Sequence, residues 1–384
     1  LVRHLEEAGH EVGVITTRAR GAAPIAGPGA VSNSAPSGAQ SGAQSGAPNG
    51  APNGATGSVF ELRLPGVPVP VYPELLLPRW PRPRERRALD AFDPDVVHCA
   101  TESVLGWWGR RWAIRSGRPL VTSFHTNFPA YAAGYGLGPA AGATWQLLRR
   151  FHEPALRTLA PSHETVADLA GHGFHPRLEV WSRGVDADHF HPARRSEALR
   201  ERLAPGADTV ILYVGRLAPE KRLALLLEAF PLVRARASTD VGLVLVGGGP
   251  MEADIRRAGH AGVHLAGYRT GLDLARAYAS ADLFAFPSDT ETFGNVVLEA
   301  MASGLPVVGV DRGGVRDTIA HGVTGFRTPP GEVEPFAEAI LDLVEHPFLR
   351  ARMGTKARAE AEGRSWPRIL DGVVDIYRET GGST

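Results

Sequence analysis

One cysteine, Cys99, stands in a chain of 384 residues. A lone thiol excludes an internal disulfide and fits a reducing compartment. Neither charge is in excess, with Lys and Arg together at 41 and Asp and Glu together at 41. That balance leaves no overall basic field and argues against a dedicated nucleic-acid binder. No apolar run approaches the roughly 20 residues of a membrane-spanning helix, and no secretory leader is read at the start. The glycine run Gly247-Gly248-Gly249-Pro250 lacks the spacing of a dinucleotide fingerprint, so no nicotinamide cofactor is expected. His189 and His191 lie close enough to suggest a metal. No Cys or third ligand stands at zinc spacing, however, so surface histidines are the simpler reading. What remains is a chain long enough for two domains of ordinary size.

The most informative stretch that is present runs from Phe284 to Gly304. Residues 282–286 read as a short buried strand and 287–292 as a polar loop. Phe293-Gly294-Asn295 then opens a helix whose Val296, Val297, Ala300 and Met301 recur at helical spacing. A helix opening just after a strand presents backbone N–H groups at the sheet's carboxyl edge, which makes an anion site. Glu291 lies in the loop before it, and Glu299 lies one turn beyond Asn295. Carboxylates accept hydrogen bonds from sugar hydroxyls and repel phosphate. The expected arrangement therefore sets phosphate on the helix start and a hydroxyl-bearing ring beside each Glu. Taken alone, the spacing is equally met by two solvated glutamates.

The second half repeats a strand–loop–helix pattern. Residues 209–214 read as a strand, and Arg216 and Lys221 follow in its loop, where two cations can neutralise a departing diphosphate. Residues 241–246 end in Gly247 and Gly248, which let backbone approach a ligand. Residues 263–266 lead to Tyr268, 306–310 form a further strand, and 322–326 read as a hairpin-like turn. Helices are expected over 335–346, 349–362 and 366–379. In the first half, 1–9 reads as the end of a helix, and 10–16, 95–98 and 119–123 as strands. Residues 103–116 read as a helix carrying Trp107, Trp108 and Trp112. Residues 21–58 are near-repeats of Gly, Ala, Ser, Pro, Asn and Gln with too little apolar area to order themselves. Arg79 to Arg87 cluster beside Trp80, which suits an anionic membrane surface as well as a solvated helix start. His125 falls at the carboxyl end of a strand, where parallel sheets bind ligands. Residues 183–192 are bracketed by Gly and Pro, composition shifts after them, and they resemble an interdomain hinge.

Glu291 and Glu299 across a strand–loop–helix, with Phe293-Gly294-Asn295 between them, resemble the retaining nucleotide-sugar glycosyltransferases of family 4, which have the GT-B fold. His125-Thr126-Asn127-Phe128 with Tyr131, followed by Tyr135-Gly136-Leu137-Gly138, is similar to the GDP-mannose-dependent α-mannosyltransferases that act on glycolipids. The plant and bacterial sulfoquinovosyl-lipid synthases are similar nearby. The resemblance covers nearly all the chain apart from 21–58 and the start. In that family a first strand and a glycine-rich turn precede the helix at 1–9, so a sheet short of one strand is expected. The resemblance implies an α/β architecture of two Rossmann-like doubly wound domains facing a cleft. These would be an acceptor domain over 1–188, a donor domain over 189–364, and a helix over 365–384 crossing back to the first.

It further implies that Arg216, Lys221 and the amides of Phe293, Gly294 and Asn295 hold the donor diphosphate. Glu291 and His125 would be catalytic, holding and orienting the transferred sugar. Glu299, Gly247, Gly248 and Tyr268 would bind ribose and base. The implied reaction is retaining transfer of a hexose, mannose from GDP-mannose, to a lipid-linked or glycolipid acceptor. The protein would be cytoplasmic and peripheral to the inner membrane face. No divalent-metal site is read from the sequence, so cationic side chains are expected to replace a divalent ion and no cofactor is expected. Two other readings stay open: a UDP-sugar-dependent glycolipid transferase of sulfoquinovosyl or glucosyl type, and a truncated, non-catalytic nucleotide-sugar binder. A sugar-nucleotide epimerase of the same fold fits the paired glutamates less well.

Overall fold

A computed structural model describes residues 1–19, 60–69, 72–125 and 141–381. The 21–58 segment and the part of the His125 motif beyond His125 itself lie outside the described residues.

The first lobe carries two small sheets. Strands β1 (Gly13–Ala19), β2 (Phe60–Val69) and β3 (Tyr72–Pro78) form one, with β1 and β2 parallel and β2 and β3 antiparallel. Strands β4 (Val97–Cys99), β5 (Leu120–Ser123), β6 (Arg157–Ala160) and β7 (Leu178–Val180) form the other, parallel throughout and in sequential order. The proline-rich stretch after residue 59 thus supplies two strands that its composition did not announce.

The second lobe is one six-stranded parallel sheet. Its strands are β8 (Thr209–Val214), β9 (Val241–Val246), β10 (Val263–Gly267), β11 (Leu283–Phe286), β12 (Val307–Val310) and β13 (Gly325–Thr328). Their order is β10-β9-β8-β11-β12-β13. Strands β8, β9, β11 and β12 are buried at every residue. A parallel strand covered on both faces must be apolar on both faces, which is why Val-Ile-Leu-Tyr-Val and Leu-Val-Leu-Val read as continuous runs. The helices Leu223–Arg236 and Val333–Glu345 pack along one another, as do Asn295–Ala302 and Pro347–Glu362. The winding reverses between β8 and β11, so a ligand crevice is expected outside their carboxyl ends.

One reading changes and another gains detail. Residues 322–326 do close a tight turn, with the Gly322 N–H donating to the Gly325 carbonyl at 2.8 Å. The chain then runs parallel to β12, with Val307 opposite Gly325, so the segment leads into an edge strand and not into a hairpin. The arginine cluster at the start of the helix Pro83–Phe92 is partly neutralised. Glu85 is buried and takes Arg79 at 2.5 Å and Arg84 at 2.7 Å, and Arg86 stands 3.7 Å from Asp90.

The last helix, Trp366–Gly381, lies against the first lobe. Its Val373 packs with Val121 of β5 and Leu159 of β6, and its Asp371 pairs with His4 at 2.8 Å. Among the described residues no helix is long and apolar enough to cross a membrane.

Candidate active site

Strand β8 ends at Val214 and β11 at Phe286, and the loops that follow them are neighbours because the strands are. The consequence is an ion pair between residues 70 positions apart: Lys221 Nζ against Glu291 Oε1. The two side chains are only 7% and 11% exposed, so each charge depends on the other. Ser288 Oγ also donates to Glu291 Oε1, at 3.3 Å. Arg222 reaches Asp289 at 3.1 Å, and Thr290 Oγ1 donates to the Glu220 carbonyl at 3.0 Å, closing the two loops together. Arg216 remains 41% exposed, 3.7 Å from Glu220.

The loop after β11 turns into the helix Asn295–Ala302 at Gly294, whose φ of +84° is one that glycine adopts without strain. Among the described residues no side chain caps this helix start, which leaves first-turn amides free of a side-chain acceptor there. Phe293 is buried beneath it. The Gly314 N–H donates to the Glu291 carbonyl at 2.7 Å and braces the loop from β12's side.

Glu299 sits in a different environment. It is buried, and its Oε2 accepts the Tyr278 hydroxyl at 2.9 Å. Desolvation pushes its pKa up to about 7, against the opposing effect of that hydrogen bond. The glycines after β9 divide in role. A Cβ on Gly247 would sit 2.0 Å from the Gly215 carbonyl oxygen, so Gly247 lets the two strand-end loops pack on each other. Gly248 has only Glu252 near its would-be Cβ, at 3.6 Å, and is the one with room for a ligand. Tyr268 follows β10 and is 62% exposed.

The first lobe contributes His125, just past the end of β5. Its Nδ1 lies 2.8 Å from an Nη of Arg183. A guanidinium only donates, so Nδ1 accepts and the neutral ring carries its proton on Nε2. Arg183 lies over the Trp181 ring at 4.9 Å, and Trp181 meets His125 edge-on at 5.3 Å. Desolvation holds the His125 pKa well below its usual value, helped by the charges of Arg183, His98 and His152. Arg183 is itself lowered to about 10 by desolvation. The Trp181 indole N–H is buried with no acceptor among the described residues. Behind this group, His98 bonds Ser123 of β5 at 2.5 Å and the Tyr377 hydroxyl of the last helix.

The two lobes meet through these same loops. Thr292 Oγ1 donates to the His125 carbonyl at 3.0 Å, and the Gly313 N–H donates to Glu164 Oε1 at 2.9 Å. His125 and Glu291 are thus tied across the interface by the residue next to Glu291. Arg183, Trp181 and Thr292 had no place in the site read from the sequence. Arg183 stood in the hinge motif, and nothing local pairs it with a histidine 58 positions earlier.

Residues 1–189 match the family described as Glycosyltransferase Family 4, and 208–346 match that described as Glycosyl transferases group 1. The chain is 42% identical to a GDP-mannose-dependent alpha-mannosyltransferase of Mycobacterium tuberculosis, over 78% of this chain and 76% of that one. It is 35% identical to sulfoquinovosyl transferase SQD2 of Arabidopsis thaliana, over 78% of this chain and 59% of that one. Among solved structures, sucrose-phosphate synthase from Thermosynechococcus elongatus superposes with a TM-score of 0.72 at 20% identity. The match covers 99% of this chain and 92% of that one.

Proposed function

The chain belongs to the family 4 glycosyltransferases, and from that premise we propose that it transfers mannose from GDP-mannose, with retention, to a lipid-linked or glycolipid acceptor. The observation that carries this is that Arg216, Lys221, Glu291 and the amides of Phe293, Gly294 and Asn295 all stand in the loops where the neighbouring strands β8 and β11 end. The 42% identity to a curated GDP-mannose-dependent mannosyltransferase supports mannose as the sugar.

In this reading the donor diphosphate lies against Arg216, Lys221 and those amides, which receive negative charge as the glycosidic C–O bond breaks. Glu291 holds hydroxyls of the sugar, and its pairing with Lys221 fixes both groups before the donor arrives. His125 donates from Nε2–H to a sugar oxygen, and Glu299 and Tyr268 serve ribose and base. The acceptor hydroxyl attacks from the face the diphosphate leaves, and its proton passes to a phosphate oxygen. Cationic side chains take the place of a divalent ion, so turnover survives EDTA. The lipid acceptor is presented at the inner membrane face, with exposed Trp80 beside Arg82 and Arg87 as the contact surface.

The test is nucleotide release with membrane lipid extract as acceptor, comparing GDP-mannose with UDP-glucose and UDP-sulfoquinovose. Faster turnover of GDP-mannose, with an α-linked product, is expected. Faster turnover of a UDP-sugar would favour the reading that the resemblance to the sulfoquinovosyl transferase supports. Binding without turnover of any donor would leave a nucleotide-sugar binder.

A further inference from the structure

The six-stranded sheet ends at β10, separated from the β11 loop by β9 and β8. Beside that edge, the residues leading into the helix Glu197–Leu203 and the helix Gly271–Ala279 line an open cavity of about 570 Å³. Its wall carries Arg194, Arg195, Arg202, Arg269 and Arg276, with Asp273 as its one carboxylate. In a chain whose charges balance at 41 against 41, this is a local concentration of one sign. Like charges held together repel unless something offsets them.

The protein offsets part of it. Arg195 pairs with Glu197 at 2.7 Å, and Arg276 stands 3.7 Å from Asp273. Arg194 is aimed by the carbonyls of His189 and Asp188, at 2.6 and 2.9 Å, which fix its direction without cancelling its charge. Arg202 and Arg269 form no ion pair among the described residues, and the Nε of Arg269 is buried with no acceptor. An adjoining cavity of about 440 Å³ shares both and adds Arg256, His260 and His264. The guanidinium groups that face the cavity repel one another, and a bound anion would relieve that repulsion.

We propose that this cavity is a second anion site, in which Arg202 and Arg269 grip a phosphate group with Arg194 and Arg276 beside them. The guanidinium fork matches two phosphate oxygens at once, and the volume suits a small phosphorylated molecule. None of the lining residues belongs to the loops after β8 and β11, so the site is separate from the one assigned to the donor diphosphate and does not depend on that assignment. The phosphate is carried either by a soluble phosphomonoester or by a phospholipid headgroup, and the recognition chemistry is the same.

Calorimetric titration with inorganic phosphate at constant ionic strength tests it. Saturable binding is expected, weakened about tenfold or more in Arg269→Gln and in Arg202→Gln, with the KM for GDP-mannose unchanged in Arg202→Gln. Arg202 is exposed, so its variant keeps the fold even where Arg269→Gln does not. Sedimentation with phosphatidylglycerol vesicles, set against phosphatidylcholine, distinguishes the sources. Vesicle binding lost in Arg202→Gln assigns a lipid headgroup, and phosphate binding without vesicle binding assigns a soluble ligand. Phosphate affinity equal in wild type and Arg202→Gln, or no saturable binding at all, overturns the site.

Discussion

The second lobe has one contiguous core that runs from Val185 to Ala361 around a single parallel sheet, whereas the described residues of the first lobe divide their core among three small clusters and two sheets. The chemistry divides along the same line. The second lobe supplies charge: Arg216, and a Lys221–Glu291 pair enclosed by braced loops. The first lobe supplies a neutral histidine, held in one tautomer by an arginine from the hinge and backed by Trp181. A buried ion pair needs rigid surroundings to hold both partners in register, and the continuous core provides them. The smaller lobe instead positions one uncharged donor through side-chain contacts that reach into the linker and the last helix.

The sharpest way to break this contrast is at Glu291. Glu291→Ala removes the carboxylate proposed to hold the sugar, and transfer is expected to be lost while circular dichroism keeps the folded signature. Because the change also strands Lys221, Glu291→Gln serves as the milder control, and near-wild-type turnover in either variant would contradict the role. Arg216→Ala comes next, with a fall in kcat on the order of a hundredfold and little change in Tm, since Arg216 is partly exposed. Lys221→Ala should lose turnover similarly and also destabilise by roughly 3–5 kcal/mol, because it leaves a buried carboxylate unpaired.

On the first lobe, Arg183→Met frees the His125 ring to rotate and change tautomer, and kcat is expected to fall about tenfold to a hundredfold. Removing that positive charge also raises the His125 pKa, so the acid limb of the rate profile moves to higher pH. An unmoved acid limb would mean that Arg183 does not govern His125. For Glu299, a folded pKa of about 7 lies above the ordinary 4.5, so the folded state holds this proton more tightly than the unfolded one. Its contribution to stability is present below about pH 4.5 and is lost as pH rises through 7. Glu299→Gln should therefore gain on wild type between pH 5 and 8, by up to about 3 kcal/mol, in denaturant titrations at each pH. The smallest effect is Tyr377→Phe, which removes the hydroxyl bonded to His98. About 1 kcal/mol of stability is expected to go with it.

Legibility followed the same division. Thr209–Val214 and Val241–Val246 were readable to the residue, because strands buried on both faces are unbroken apolar runs bounded by Gly215 and Gly247. The strands of the first lobe that are only half buried, such as Leu178–Val180, gave no comparable signal. Within the site, Glu291 and Glu299 were visible as a pair on one strand–loop–helix, but their environments were not. One meets a lysine from a neighbouring loop and the other a tyrosine from the preceding helix. The neutralisation of Arg79 and Arg84 by Glu85 was local and could have been read from the charge pattern.

The sequence by itself determined the family, the alternation of strands and helices, and which residue types stand at strand ends, because periodicity, glycine placement and motif spacing are properties of neighbouring residues. Only the tertiary structure decided that Lys221 answers Glu291, that Arg183 sets the tautomer of His125, and that five arginines share one wall at the sheet's edge. Each of these depends on charges and hydrogen-bond partners brought together from distant positions, and strand order, which no local pattern encodes, is what brings them within reach.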